Sequence, residues 1–248
     1  MLTIATWNVN GVRAREQQLL AWLARDRPDV VCLQEIKAQP AQVPTLLVQS
    51  VGYQCLWHGA GGYSGVALLV RKERFPDGAR FDHPPFDRET RIASAHLGGI
   101  EIASVYVPNG GKDFAAKIDF LTALGDYAEA ARAAGRSLVI AGDLNVARTD
   151  RDVHPKERKP GVIGQRPDER ALLERIIGAG LVDIGRALAP DDEGLFTWWA
   201  PWRNLRQRNI GWRIDYLLAP TALHATTCAV LADVGTSDHA PVVATLDF

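Results

Sequence analysis

Leu138-Val139-Ile140-Ala141-Gly142-Asp143-Leu144-Asn145 is the stretch on which the fold turns. Its four apolar residues in succession read as a short buried strand. Upstream, Phe114–Ala134 has apolar residues at helical spacing and is stopped by Gly135. Helix, buried strand and polar tip follow one another, as in a layered α/β domain. The order recurs at the N-terminus. Leu2–Ala5 is an apolar run ending in Thr6-Trp7-Asn8-Val9-Asn10-Gly11, and Val12–Asp26 then carries Leu19, Leu20, Trp22 and Leu23 at helical spacing before Arg27-Pro28. Asp29–Leu33 is a second buried strand, ending in Gln34-Glu35. Further strands are expected at Gly52–Trp57, Val66–Arg71, Ile214–Leu218, Ala225–Leu231 and Val242–Leu246. Arg91–Leu97 and Glu101–Val107 form a hairpin about Gly98-Gly99. Helices are expected around Gln42–Gln49 and Glu169–Gly178. Val146–Pro167, rich in charge, proline and glycine, reads as one long loop, a feature that compact domains keep mostly for function. No repeat or linker divides the chain, so residues 1–248 are expected to form one domain.

Composition narrows the function. The 47% apolar content of 248 residues is enough for a sizeable core. A net charge of −1 gives no global field toward polyanions, so any nucleic acid must be met by local basic clusters. Cys32, Cys55 and Cys228 are odd in number and lack ligand spacing, which argues against a disulfide scaffold or a zinc site and for a reducing compartment. Cys32, inside an apolar run, belongs to the core. The N-terminus has neither the basic flank nor the long apolar run of a secretory leader, and no window approaches a membrane span. P-loop, dinucleotide fingerprint and nucleophile elbow are all missing.

The strand ends carry the chemistry. Apolar runs terminate at Asn8/Asn10, Glu35, Asp143/Asn145 and Asp238/His239, and such tips gather where rigid strands meet loops. Glu35 is either a solvated strand end or a ligand for a hard divalent cation, which prefers carboxylate and amide oxygens. Asn8 and Asn10, two apart, point to one face if the segment is extended. Asp143 and Asn145 repeat that spacing, and Gly142 permits a tight backbone path. A carboxylate beside an amide suits activation of water and donation to an anionic oxygen. Tyr106 leaves its strand with a phenol able to donate to a phosphate. In Ser237-Asp238-His239-Ala240-Pro241, proline stiffens the turn holding a histidine that titrates near neutrality. Asp215, in Trp212-Arg213-Ile214-Asp215-Tyr216, needs a partner. His239 would make an aspartate-oriented imidazole, and Arg213 a structural ion pair. Acids, amides, one histidine and one tyrosine, with no thiol or serine nucleophile, suit metal-assisted phosphodiester hydrolysis.

Taken together, these stretches resemble the exonuclease III/apurinic-apyrimidinic (AP) endonuclease family of the endonuclease/exonuclease/phosphatase superfamily. The matching pieces are Trp7-Asn8-Val9-Asn10-Gly11-Val12-Arg13-Ala14, Leu33-Gln34-Glu35-Ile36-Lys37, Gly62-Tyr63-Ser64-Gly65-Val66-Ala67, Tyr106-Val107-Pro108-Asn109, Gly142-Asp143-Leu144-Asn145, Trp212-Arg213-Ile214-Asp215-Tyr216 and Ser237-Asp238-His239. They stand in the family's order along nearly the whole chain. The resemblance implies a four-layer α/β sandwich, two mixed β-sheets packed face to face with helices outside. It implies Mg²⁺, with Mn²⁺ as a substitute, and a metal site drawn from Asn8, Glu35, Asp143, Asn145, Asp238 and His239. Tyr106, Asp143, Asn145, Asp215 and His239 are the implied catalytic set, with the base open between Asp143 and His239. The implied activity is DNA repair phosphodiester hydrolysis, at abasic sites or at 3′ ends, by a monomeric, bacterial-type cytoplasmic enzyme working at the nucleoid. A relative acting on a small phosphoester or lipid head group is the alternative.

Double-stranded DNA as partner requires positive patches. Arg148, Arg151, Lys156, Arg158, Lys159 and Arg166 lie in the long loop, and Arg203, Arg206 and Arg208 lie beside Trp198, Trp199, Trp202 and Trp212. Cations interleaved with aromatics can hold phosphates and stack on bases. Asn10, Arg13, Asn109, Arg148, Arg206, Arg208 and Trp212 are the expected DNA contacts. Ala200-Pro201-Trp202 and Ile210 depart from the family pattern in segments that border the damaged nucleotide there, which leaves the balance of incision, end trimming and exonuclease activity open.

Overall fold

The computed structural model describes residues 1–248. Twelve strands form two sheets of six. The first sheet contains β1 (Leu2–Asn8), β2 (Val30–Gln34), β3 (Tyr53–His58), β4 (Val66–Arg71), β11 (Ala225–Val230) and β12 (Val242–Leu246), in the order β11-β12-β1-β2-β4-β3. The second contains β5 (Arg80–Asp82), β6 (Ile92–Leu97), β7 (Ile100–Tyr106), β8 (Ser137–Asp143), β9 (Leu181–Asp183) and β10 (Asp215–Pro220), in the order β5-β6-β7-β8-β10-β9. Both sheets are mixed. The parallel pairs β1/β2 and β7/β8 are bridged by α1 (Glu16–Asp26) and α3 (Phe114–Ala133), because parallel neighbours need a crossover. The remaining helices are α2 (Thr45–Ser50), α4 (Pro167–Gly178) and α5 (Ile184–Leu188).

Three apolar layers follow from strand alternation. Leu2, Ile4, Val30 and Cys32 pack between the sheets against Ala93, Ile102, Val139, Ala141 and Leu217. The opposite faces of β1 and β2, with Ala5, Trp7, Val31 and Leu33, receive Leu19, Trp22 and Leu23 of α1 and Val48 of α2. Leu138, Ile140 and Leu218 receive Phe120, Leu121 and Leu124 of α3 and Leu173 and Ile176 of α4. The result is helix–sheet–sheet–helix, the expected sandwich.

Alternation also aims the polar tips. Asn8 continues the parity of Leu2 and Ile4, Asp143 that of Val139 and Ala141, Tyr106 that of Ile100 and Ile102, and Asp215 that of Leu217. Each therefore points into the space between the sheets, and register places Asp143 opposite both Tyr106 and Asp215. Asn8 and Gln34 close the β1/β2 ladder at the same end.

Element ends shift by a few residues from expectation. The first strand runs on to Asn8, and the first helix begins as a 3₁₀ turn over Val12–Arg15. The second helix starts at Thr45, after a 3₁₀ turn over Pro40–Gln42. The long loop contains two 3₁₀ turns, Asp150–Asp152 and Pro155–Glu157. β5, β9 and α5 were not anticipated, since three to five residues are too few to display a period. Gly142 is obligatory: a Cβ there would stand 1.9 Å from the Val105 carbonyl oxygen of the adjacent strand.

Candidate active site

At one end of the sandwich, Glu35, Tyr106, Asn109, Asp143, Asn145, Asp238 and His239 line a cleft of about 360 Å³ walled by Trp198, Trp212, Ile163 and Ile214. A roomier cleft of about 540 Å³ lies between the β5–β6 edge and α3, far from these groups. Of the three acids lining it, Asp82, Glu101 and Asp126, the buried one, Glu101, is already closed by Tyr127 and Arg136.

Asn8 holds the centre of the site. Its amide Nδ2 donates to Glu35 Oε1 at 3.0 Å and to Asp143 Oδ2 at 2.9 Å, so one neutral group keeps two carboxylates from meeting. Its Oδ1 accepts the Asn10 N–H at 3.0 Å. Asn10 does not share a face with Asn8 as the extended reading requires, because the strand ends first and Asn10 adopts a left-handed φ of 45°. Both ends of its carboxamide are engaged, Nδ2 donating to Asp238 at 2.9 Å and Oδ1 accepting from Lys37 at 2.7 Å. Asn145 departs from β8 in the same manner, with φ 52°. Its backbone N–H donates to Asp143 Oδ1 at 2.9 Å and its side chain to the Val107 carbonyl. Glu35 and Lys37 are left-handed too, at φ 49°. Four non-glycine residues in a sparsely allowed region around one cleft mark it as a place where the surrounding fold imposes geometry.

The histidine settles its partner. His239 Nδ1 lies 2.9 Å from Asp215 Oδ2, and Nε2 faces Asp143 Oδ2 at 3.8 Å. Arg213 is not the partner of Asp215, because it stacks over the Tyr216 ring and pairs with Asp152 and Asp183. The Thr197 hydroxyl donates to Asp215 at 2.6 Å, and the Ser237 hydroxyl donates to the Asn8 carbonyl at 2.7 Å. Burial pushes the Asp143 carboxyl well up, as do Asp215 and Glu35, against the pull of His239. Burial alone would lower the His239 pKa, but Asp215 and Asp143 outweigh it and hold the imidazole protonated above neutrality. Glu35 and Asp238 stay below the ordinary carboxylate range despite burial. Asn8 and Lys37 stabilise the Glu35 anion, whereas His239, Trp198 and Asn10 stabilise that of Asp238. Burial raises the Tyr106 phenol, and Glu35 and Asp143 raise it further, so it remains a donor.

Four carboxylates, Glu35, Asp143, Asp215 and Asp238, thus face only two cations, Lys37 and His239. Carboxylates in such excess, Asp143 and Asp215 buried and Glu35 and Asp238 half-buried, with amide oxygens alongside, fit a hard divalent cation.

The expected DNA contacts divide. Asn109 and Trp212 line the cleft, with Trp212 edge-on to Trp198 at 5.7 Å. Arg148 lies outside it, bound to Glu174 and Asp183. Arg206 lies over the Trp199 ring and donates to the Ala232 and Ser237 carbonyls. Arg13 and Arg208 are exposed and away from the cleft lining, as are Arg203, Lys156 and Lys159. Thr197 and Lys37, which touch Asp215 and Glu35, were not candidate site residues in the sequence, and Trp198, read there as a stacking aromatic, also donates its indole N–H to Asp238. Lys37, two residues past Glu35, had a local signal. Thr197 and Trp198 reach their partners only through the fold.

Residues 5–239 match the model of the Endonuclease/Exonuclease/phosphatase family. The chain is 33% identical to an exodeoxyribonuclease of Bacillus subtilis over 97% of its own length and 98% of that protein's. In structure it is similar to the Neisseria 3′ phosphatase NExo bound to product DNA hairpin, with a TM-score of 0.90 and 29% identity, each chain covered in full. An AP endonuclease of Archaeoglobus fulgidus superposes with a TM-score of 0.89 and 28% identity, again covering both chains in full.

Proposed function

This chain belongs to the Endonuclease/Exonuclease/phosphatase family and is a hydrolytic nuclease acting on phosphodiester bonds, and on that premise we propose that it is a Mg²⁺-dependent DNA repair phosphodiesterase that cuts the backbone at abasic sites and clears 3′ ends. One observation supports this above all. Tips of five strands from two sheets bring Glu35, Asn8, Asp143, Asp215 and His239 together at one acidic cleft walled by Trp198 and Trp212. The likeness to a 3′ phosphatase, an AP endonuclease and an exodeoxyribonuclease supports DNA as substrate.

Glu35 would be the principal holder of the cation, with Asn8, Asp143, Asn145 and Asp238 around it; His239, expected from the sequence as a further ligand, is protonated at both ring nitrogens and is a donor instead. Mg²⁺, or Mn²⁺ in its place, would neutralise charge developing on the phosphoryl oxygens. Asp143 is placed for proton transfer. Its raised pKa suits a general base near neutrality, and Asn8 and the Asn145 N–H aim its two oxygens. His239, protonated and fixed at Nδ1 by Asp215, presents Nε2–H to the oxygen on which negative charge accumulates. Tyr106 and the Asn109 and Asn145 carboxamides line the cleft for the phosphate. Trp198 and Trp212, packed edge-to-face on each other, wall the cleft beside it.

A single labelled duplex carrying one abasic-site analogue tests the proposal. With Mg²⁺, incision at the lesion or shortening from the 3′ end is expected, and chelator abolishes both. An enzyme that leaves this duplex intact yet hydrolyses an inositol phosphate or a lipid head group would overturn it.

A further inference from the structure

Beneath the floor of the cleft lies a buried ion pair that takes no part in the chemistry above. Lys117, in the first turn of α3, and Glu169, in the first turn of α4, are both 0% exposed and paired. The Lys117 ammonium uses its remaining two donors on backbone carbonyls, Asn145 at 2.7 Å and Asn109 at 3.4 Å. The Glu169 carboxylate accepts the Gly164 N–H at 2.7 Å and the Arg166 N–H at 3.1 Å. Asn109 lines the cleft from the β7–α3 loop, and Asn145 and Gly164 line it from the two ends of the long β8–α4 loop. The pair is therefore tied to all three at their backbones. Gly110 fits the arrangement, since a Cβ there would meet the Lys117 stem at 2.9 Å.

We propose that Lys117 and Glu169 are positioning residues for the nuclease site. By anchoring the carbonyl of left-handed Asn145, Lys117 fixes the residue whose N–H aims Asp143. By anchoring Gly164, Glu169 fixes the wall packed on Trp212, where a Cβ would stand 2.9 Å from the ring. Helix–helix stability alone would need the charges to meet each other, but not to meet three backbone positions in two loops. The inference rests on the phosphodiesterase reading for its rate effect, although the anchoring is separable from it.

The test compares Lys117→Met, Glu169→Leu and the double variant. The single variants strand a buried charge and can fail to fold, whereas removing both partners commonly spares stability. The double variant is the informative one, and its single-turnover rate constant at saturating duplex does not depend on the folded fraction. That constant is expected to fall roughly 10- to 100-fold with little change in Kd for duplex, because misplacement by about 1 Å suffices for such losses. Amide exchange at Asn145 and Gly164 should accelerate while that of β7 and β8 holds. An unchanged rate constant in the folded double variant overturns the proposal, and so does unchanged protection of both amides. If the unsubstituted enzyme cuts neither abasic duplex nor 3′ end, the phosphodiesterase reading fails and the exchange result alone decides the anchoring.

Discussion

Two clusters of buried charge sit two residues apart in sequence and are built differently. Arg213 lies between Asp152 and Asp183, and Arg186 and Arg148 complete the ring with Glu174, so every charge has an opposite within hydrogen-bond reach. Asp215 lies buried behind His239 at the cleft, where four carboxylates share Lys37 and His239 and a neutral amide separates Glu35 from Asp143. The first cluster is closed and pins β9, α5 and the long loop together. The second is open and short of positive charge. Charge left unbalanced where a cleft admits solvent is charge kept for a ligand or a reaction.

Matched carboxylate-to-amide substitutions give the largest expected contrast. Asp143→Asn should lower the phosphodiester hydrolysis rate by on the order of 10² to 10⁴-fold, the range for losing a positioned proton-transfer group. Its Tm should hold or rise, because one of several crowded anions has gone. Asp183→Asn should do the reverse. Leaving Arg213 partly unpaired in the interior removes about 3–5 kcal/mol of stability, while the rate per folded molecule is kept. Denaturant titration beside single-turnover kinetics reads both. If both variants lost mainly stability, the cleft would be a second structural cluster.

Asp215 lies on the boundary and sharpens the comparison. Asp215→Asn keeps shape and the Thr197 contact but removes the charge that holds His239 protonated. A loss of about 10²-fold in rate is expected, with the pH of maximal activity displaced to the acid side. An unchanged pH profile would show that Asp143 alone sets the His239 charge.

The two clusters also read differently in the sequence. Alternation within apolar runs was enough to send Asn8, Asp143, Tyr106 and Asp215 to one face, so most of the site was legible once the strands were. What alternation cannot foresee is the backbone after the strand ends. Asn10 and Asn145 turn left-handed and leave the expected face for new partners. The closed cluster was invisible, because Asp152, the Asp183/Arg186 stretch and Arg213 come from three segments whose meeting depends on β9 and α5, both too short to carry a period. Arg148 counted as a DNA contact for the same reason: its loop is basic in sequence, but the acids that neutralise it arrive only with the fold.

Acid should dissolve the closed cluster. Burial would raise the Asp152 pKa, but Arg213 and Arg186 more than offset this and lower it from 3.8 to about 2. Because the folded value lies below the unfolded one, its contribution to stability is present above pH 3.8 and is lost as pH falls through about 2. Urea midpoints followed from pH 5 to pH 2 should decline, and Asp152→Asn should flatten the lower part of that decline. A variant curve parallel to the original would mean that other carboxylates control acid unfolding.

The smallest effects separate the basic residues from one another. Lys156, Lys159 and Arg203 make no side-chain ion pair, whereas Arg148 and Arg166 are held by Glu174 and Asp168. Only unpaired cations can release counterions from DNA without first breaking a contact at home. Duplex affinity measured with chelator present, so that nothing is cut, should weaken steadily with salt. Lys156→Ala or Arg203→Ala should reduce the slope of log Kd against log salt by about one where that residue meets a phosphate. Arg148→Ala should leave the slope unaltered, since its charge is already spent on Glu174 and Asp183. A slope that falls with Arg148 and not with Lys156 would route the duplex across the closed cluster and require its ion pairs to open on binding.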